Sequence, residues 1–275
     1  MTLLPDYSAS THAGTPDLLT AVVGATRVAV AERRKLIPNG QLEREAAART
    51  PRAEEFRAAL ARSEGFNVIA ECKRRSPVRG ILQKDYDPAA LARVYARAGA
   101  AAISVLTEPS FFDGSVEHLK SVRDAVDLPI LRKEFVVTEY QLIEARAAGA
   151  DAALLIVAAL EDNILASLLA SVEALGLAAL VEVHDEMELE RAVGAGAGII
   201  GVNNRNLRTL EIGLETTARL IERMPGDVIA IAESGLRTHR DLVRLRDAGY
   251  HGFLIGEVLV TDSAPGRALE ALREG

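Results

Sequence analysis

Eight short apolar runs, each followed by an amphipathic segment of helical period, recur between residues 68 and 273. The runs cover 68–72, 101–106, 129–132, 151–157, 178–183, 198–202, 228–232 and 252–256. Near-continuous hydrophobicity over so few residues marks strands buried on both faces. The segments between them, near 88–98, 115–126, 138–148, 162–174, 185–194, 214–223, 238–248 and 263–273, read as helices. Four of these end alike, in Ala98-Gly99-Ala100, Ala148-Gly149-Ala150, Ala195-Gly196-Ala197 and Ala248-Gly249. Glycine just past a helix is the usual left-handed cap before the chain turns into a strand. Eight strand–helix units over about 200 residues match an α/β fold of the (β/α)8, or TIM-barrel, type. The competing architecture is an open doubly wound sheet. It would carry a glycine-rich nucleotide loop after its first strand, and the segment after residue 72 is charged instead.

Residues 1–66 precede the first run and read as a helical extension packing on a barrel of residues 67–275, the two forming one structural unit. Residues 1–14 are small and mixed, and are expected to fray. Thr15-Pro16-Asp17 reads as a helix start, with a capping hydroxyl, a proline at the first helical position and an acid in the first turn. That helix is expected to stop at Pro38-Asn39-Gly40. Thr50-Pro51 reads as the cap of a further helix ending near Gly65. Helices ahead of the first strand are placed to lid one end of the barrel.

The net charge of −7 with mixed signs argues against nucleic acid as a partner and leaves room for an anionic small substrate, which needs only local cations. No apolar run reaches membrane-spanning length, and the first residues lack the pattern of a secretion signal, so a cytoplasmic location and no membrane contact are expected. A single cysteine excludes an intramolecular disulfide and a thiolate-cluster metal site. Cys72 reads as a small buried residue on the outer face of its strand. The histidines show no ligand spacing, and no metal is expected. Five lysines stand against 27 arginines, and two of the five, Lys73 and Lys133, lie at strand ends. A lysine there is notable, because only lysine readily loses its proton on burial.

In a barrel of this type chemistry sits where strands end. The first strand delivers Glu71 and Lys73 to one side, by the two-residue alternation of strands. Taken alone, that pair reads first as an exposed ion pair at a strand end, and the other strand ends decide against that. The second exits into Thr107-Glu108-Pro109-Ser110-Phe111-Phe112-Asp113-Gly114-Ser115. In a chain with only 4% aromatic residues, one of these adjacent phenylalanines faces a ligand or both pack the loop. The third gives Lys133, Glu134 and Phe135. The fourth gives the apolar wall Leu154 to Val157. The fifth gives Glu182 and His184, the sixth Asn203 and Arg205, the seventh Glu233-Ser234-Gly235, and the eighth Gly256-Glu257.

Three groupings follow. Small residues after the seventh and eighth strands suit an anion held by backbone N–H groups. Lys73, Lys133, Glu71, Glu182 and Glu233 converge on one mouth, where crowded charges shift one another and supply acid and base; the bland alternative is a network of satisfied ion pairs. Asn203 and Arg205 orient, while Phe112, Phe135, Leu154 and Leu207 line an apolar slot for a flat substrate. His184 reads as a cap on the helix that starts at Asp185. A lysine beside a second cation is expected to hold its proton loosely.

These residues resemble the indole-3-glycerol phosphate synthase family. The resemblance spans about Asn67 to Val260. It rests on Ile69-Ala70-Glu71-Cys72-Lys73-Arg74-Arg75-Ser76-Pro77, on Leu106-Thr107-Glu108 with Phe111 to Ser115, and on Pro129-Ile130-Leu131-Arg132-Lys133-Glu134-Phe135. It continues through Leu180-Val181-Glu182-Val183-His184, Ile200-Gly201-Val202-Asn203-Asn204-Arg205-Asn206-Leu207 and Ala232-Glu233-Ser234-Gly235. The resemblance implies a decarboxylating lyase of tryptophan biosynthesis. Its substrate is 1-(2-carboxyphenylamino)-1-deoxyribulose 5-phosphate, on which it closes the indole ring with loss of carbon dioxide and water, without cofactor or metal. It implies Lys133 as general acid, with Lys73, Glu71, Glu182, Asn203, Glu233 and Ser234 completing the catalytic set. Substrate contacts are implied for Ser76, Phe112, Phe135, Leu154, Arg205, Leu207, Gly235 and Leu254, and for Gly256 and Glu257 largely through backbone. A monomer is expected, with association with other enzymes of the pathway left open. Glu134, Glu108 and Asp113 depart from the family's commoner residues, which bears on loop contacts. Residues 76–79 are expected to form a mobile loop that orders on binding. Two rivals are the phosphoribosylanthranilate isomerase of the same pathway, which would need a cysteine in the mouth, and a barrel that binds a phosphorylated metabolite without turning it over.

Overall fold

In the computed structural model the described residues are 17–213 and 215–275. Eight parallel strands close on themselves: β1 (Asn67–Cys72), β2 (Ala102–Leu106), β3 (Ile130–Lys133), β4 (Ala152–Ile156), β5 (Ala178–Val183), β6 (Ile199–Asn203), β7 (Ile229–Glu233) and β8 (Gly252–Ile255). β1 pairs with both β2 and β8, so the sheet has no free edge. Three helices precede the barrel: α1 (Leu18–Leu36), α2 (Asn39–Ala47) and α3 (Ala53–Leu60). Eight longer helices follow among the described residues, α4 (Pro88–Arg97), α5 (Val116–Ala125), α6 (Glu139–Ala148), α7 (Asp162–Ala174), α8 (Glu186–Gly194), α9 (Glu215–Ile221), α10 (His239–Asp247) and α11 (Pro265–Glu274), and two four-residue helices, Pro109–Phe112 and Glu257–Val260, lie in the loops after β2 and β8. The expected strands and helices all form, within a few residues of their expected bounds. Gly99, Gly149, Gly196 and Gly249 adopt positive φ just past their helices, as the repeated Ala-Gly signature requires.

Strand alternation divides the core into two layers. Val68, Ala70 and Cys72 of β1 face outward into the apolar shell between sheet and helices. Ile69 faces the barrel interior with Leu131, Leu154, Leu180, Ile231 and Leu254. Cys72 is fully buried against Pro88 of α4, on the outer face expected for it.

The N-terminal helices depart from expectation at two points, both of them caps. Asp17 itself caps α1, accepting from the Thr20 N–H at 2.8 Å; Thr15 and Pro16 lie outside the described residues. As expected, α1 stops just before Pro38, its last helical residue being Leu36; Pro38, in extended conformation, then opens α2. Thr50 does not cap α3; that position belongs to Arg52, which makes no side-chain cap bond. The extension also serves both ends of the barrel rather than one. Phe56 and Leu60 of α3 are fully buried against the barrel interior and plug its base. Asn67 Nδ2 ties that plug to the strands, donating to the Leu60, Arg62 and His251 carbonyls. Leu18, Leu19 and Val22 of α1 reach the opposite end, beside Phe112 and Lys73. No helix among the described residues is long and apolar enough to cross a membrane.

Candidate active site

Strand register sets the site. Glu182 on β5 lies opposite Gly201 on β6, and Glu233 on β7 lies between Asn203 and Leu254 of its two neighbours. Gly201 is required there: a Cβ would meet Glu233 Oε1 at 2.1 Å. At β8's exit, Gly256 leaves the space that Glu71 fills, since a Cβ would stand 2.5 Å from Glu71 Oε1.

Lys133 is the hub. Its Nζ donates to Glu233 Oε2 at 3.2 Å and to Glu182 Oε2 at 3.3 Å. Lys73 Nζ pairs instead with Glu71 Oε1 at 2.9 Å. Asn203 Nδ2 donates to Glu182 Oε1 at 3.0 Å, and the Arg205 N–H fixes Asn203 by donating to its Oδ1. Asn204 Nδ2 donates to the carbonyls of Glu233 and Ser234, holding the β7 exit. Ser234 and Gly235 both take positive φ, 65° and 79°, so the chain turns sharply at that exit.

These groups line a cavity of about 320 Å³ at the strand ends. Phe112, Phe135, Leu154, Leu207 and Leu254 form an apolar wall, and the Phe112 and Phe135 rings lie 6.2 Å apart. Phe112 faces the chamber, while Phe111 packs into the core. Arg205, Ser234, Gly235, Gly256 and Glu257 line the same cavity. Ser76 is the one expected site residue outside this lining. It borders an adjoining apolar cavity of about 70 Å³, and its hydroxyl accepts from the Val78 N–H at 3.3 Å. Residues 76–79 belong to a two-stranded hairpin (Arg75–Ser76 with Gly80–Ile81), which Arg79 anchors to Glu257 at 3.1 Å.

The electrostatics correct one expectation. Burial pushes Lys133 toward losing its proton, but Glu233, Glu182 and Glu71 outweigh it and hold the proton well above the ordinary lysine range. The second cation is absorbed by Glu71, so it does not acidify Lys133. Burial raises Glu71, yet Lys73 and Lys133 bring it below the ordinary range. The two carboxylates on Lys133 part company. Burial raises both; Lys133, His184 and Asn203 pull Glu182 down, whereas Glu233, repelled by Glu182 and Glu71, is pushed up to about 8. Glu233 Oε1 has no hydrogen-bond partner among the described residues. An ammonium, an ionised carboxylate and a protonatable one thus meet in an apolar-walled chamber, a constellation for proton transfer at carbon and oxygen.

The chain matches the family model described as indole-3-glycerol phosphate synthase over residues 19–272. The chain belongs to the indole-3-glycerol phosphate synthase family. An indole-3-glycerol phosphate synthase of Parafrankia sp. is 56% identical over 75% of this chain and 77% of its own length. Those of Streptomyces griseus and Laribacter hongkongensis are 49% and 45% identical, covering 93% of this chain and 94% and 98% of theirs. Among solved structures, thiamine phosphate pyrophosphorylase from Pyrococcus furiosus superposes with a TM-score of 0.56 at 18% identity over 75% of this chain and 93% of that one. N-acetylmannosamine-6-phosphate 2-epimerase from Clostridium perfringens does so at 0.55 and 16%, over 70% and 86%. These two likenesses concern the barrel alone.

Within this family member the departures in the second loop are built in. Glu108 is fully buried and caps the Pro109–Phe112 turn, accepting from the Ser110, Phe111 and Phe112 N–H groups. Asp113 pairs with Arg74. Glu134 turns away from Lys133, accepting from the Thr107 hydroxyl and the Phe135 N–H. Cys72 faces away from the mouth, which removes the arrangement the isomerase rival needs.

Sequence reading missed His184. Asp185, not His184, caps α8 by accepting from the Glu188 N–H at 2.9 Å. The His184 ring sits between two carboxylates, Nε2 3.2 Å from Glu182 Oε1 and Nδ1 3.0 Å from Glu188 Oε2. Burial would lower its pKa, but those carboxylates raise it to about 10. The available signal was Glu188, four residues on and one helical turn away. Arg79 and Arg237, also chamber-lining, were missed because nothing in a loop sequence fixes its direction.

Proposed function

We infer that the chamber closes the indole ring of 1-(2-carboxyphenylamino)-1-deoxyribulose 5-phosphate with loss of carbon dioxide and water, as the family does. The observation that carries the assignment of roles is the triad of Lys133, Glu182 and Glu233 at hydrogen-bond distance inside an apolar wall.

The flat anthranilate part suits the slot between Phe112, Phe135 and Leu154. The phosphate suits the backbone of Ser234-Gly235 and Gly256-Glu257, with Arg205 and Arg237 near. Lys133 then donates to the ketone oxygen as the ring carbon attacks. Its high proton affinity does not prevent this, because the developing alkoxide is a stronger base than an amine. An apolar slot favours loss of the carboxylate, whose charge leaves as neutral carbon dioxide. Glu182, kept ionised, stabilises the cationic ring intermediate. The final dehydration needs an acid at the hydroxyl and a base at the C–H, and the protonatable Glu233 and the Lys73–Glu71 pair stand beside Lys133 to serve it. A cytoplasmic monomer is part of this proposal; sedimentation as a stable dimer would overturn that part.

The test is the appearance of indole fluorescence with purified protein and this substrate. Lys133→Ala should lower kcat by at least about a hundredfold, the usual contribution of a general acid, while substrate still quenches or shifts its own emission on binding. Near-normal turnover in that variant would remove Lys133 from its role. Saturable binding without turnover by the unaltered protein would favour the barrel that binds without catalysing.

A further inference from the structure

The reaction has a proton balance that the chamber must meet. The ring carbon attacks the ketone carbon, and the C=O pair becomes an O–H bond with the proton of Lys133. The bond to the carboxylate then breaks, its electron pair restores the aromatic ring, and neutral CO2 departs. In the dehydration one proton leaves with the hydroxyl as water and one is returned from carbon, so that step cancels. The carboxylate's charge is gone, and one proton has been consumed. Lys133 is left as a neutral amine at the floor of a chamber whose mouth is filled by substrate or product.

On the far side of Glu182 lies a second space. A polar cleft of about 540 Å³ is lined by Asn204, Asn206, Glu211, Glu215 and Thr216, and His184 and Asn203 close its inner end. Asn203 and Ile212 line both this cleft and the catalytic chamber. His184 is mostly buried, its side chain 12% exposed, and its ring touches Glu182 Oε1 at 3.2 Å. The other oxygen of the same carboxylate, Oε2, touches Lys133 Nζ at 3.3 Å. Cleft, imidazole, carboxylate and amine thus stand in succession, with His184 Nε2 close to Glu182 Oε1 but not hydrogen-bonded to it, so that a turn of the ring aims the N–H at the carboxylate.

Resting on the reaction inferred above, we propose that His184 is the proton inlet of the site: it passes a proton from solvent in the Asn204–Glu215 cleft through Glu182 to the spent Lys133, so that the acid is reset from behind while the mouth is occupied. His184 acts through Glu182 and does not touch substrate. The bonds balance. The imidazolium N–H breaks as an O–H forms on Glu182; rotation of the carboxyl brings that proton to Nζ, where an N–H forms; the neutral imidazole takes the next proton from water in the cleft. The direction is downhill, because Lys133 holds a proton more tightly than His184 does. The charged groups facing His184 are Glu182 on β5 and Glu188 on α8, with Glu211 and Glu215 across the cleft, all acidic, which favours the imidazolium that donates.

The experiment is chemical rescue. In His184→Ala, kcat for indole formation should fall at least about tenfold, below the full worth of a general acid because water substitutes in part, with KM little changed. Added imidazole should restore it in proportion to its protonated form, and should leave the unaltered enzyme unaffected. A merely structural loss would not respond to buffer acid. Should His184→Ala fail to fold, Glu188→Gln removes one of the imidazole's two carboxylates; its alkaline limb of kcat should move to lower pH. The proposal falls if His184→Ala keeps its kcat within about twofold, if no buffer acid restores the loss, or if the Glu188→Gln profile matches the original. Absence of indole with the unaltered protein would overturn the reaction reading itself, whereas indole from it beside a full-speed His184→Ala would overturn only the inlet.

Discussion

Lys133 and its two carboxylates illustrate how position, not residue type, sets acidity. Glu182 and Glu233 stand at nearly equal distances from the same ammonium, yet they are driven apart. Glu182 has Asn203 and His184 on its second oxygen; the second oxygen of Glu233 has no hydrogen-bond partner among the described residues. Glu233 therefore binds a proton more tightly folded than unfolded, from its ordinary 4.5 to about 8. Its contribution to stability is complete below 4.5 and is lost as pH rises through 8. Glu233→Gln keeps the shape of the neutral form and cannot ionise. Melting curves at intervals from pH 5 to 8 should show the variant gaining on the parent as pH rises. Parallel Tm curves would mean that Glu233 is already ionised throughout.

At the scale of elements, the strand that carries Lys133 is locked by a charged network on its outer face. Arg132, fully buried, donates Nε to the Thr107 hydroxyl at 3.0 Å, Nη1 to the Gln141 carbonyl at 2.7 Å and Nη2 to Glu144 at 2.6 Å. Glu144 in turn accepts from Arg33 of α1 at 2.8 Å, tying the extension to α6 and β3. Such a network confers specificity more than net stability, but removing Glu144 leaves the buried Arg132, among the described residues, with only Glu134, 3.6 Å away, against its charge. Glu144→Ala should cost about 3–5 kcal/mol, read as a lower urea midpoint with unchanged slope. The double variant Arg132→Met with Glu144→Ala should recover much of that loss. Additive losses would contradict the coupling. Arg132 lies inside a strand run, where alternation says which face a side chain takes but not which helix meets it there.

We propose that the N-terminal extension and the barrel fold as one body, because the barrel does not close its own base. Phe56 and Leu60 of α3 fill it, and burying a side chain of that size stabilises by roughly 1.5–3 kcal/mol. A chain that begins at Asn67 would expose the inner ends of several strands and leave Asn67 Nδ2 without the Leu60 and Arg62 carbonyls. It should lose the single sharp calorimetric transition expected of the full chain. A truncated barrel with an undiminished cooperative melt would make the extension an accessory.

The order and type of the elements were legible without coordinates, since apolar runs, present in every barrel strand, and glycine caps, present after four of the helices, are local properties. So was the set of side chains entering the mouth: strand alternation sends Glu71, Lys73, Lys133, Glu182, Asn203 and Glu233 inward regardless of how the strands are paired. The directions of the N-terminal helices and of the hairpin at residues 76–79 were not legible, because a helix's packing site depends on surfaces far away in the chain. Nor were the proton affinities. The expectation that Lys73 would acidify Lys133 failed because tertiary packing gave Lys73 its own carboxylate and gave Lys133 two others. Charge interactions fall off over a few ångströms, so their sign at a site depends on which neighbours come closest, and only the closed barrel decides that.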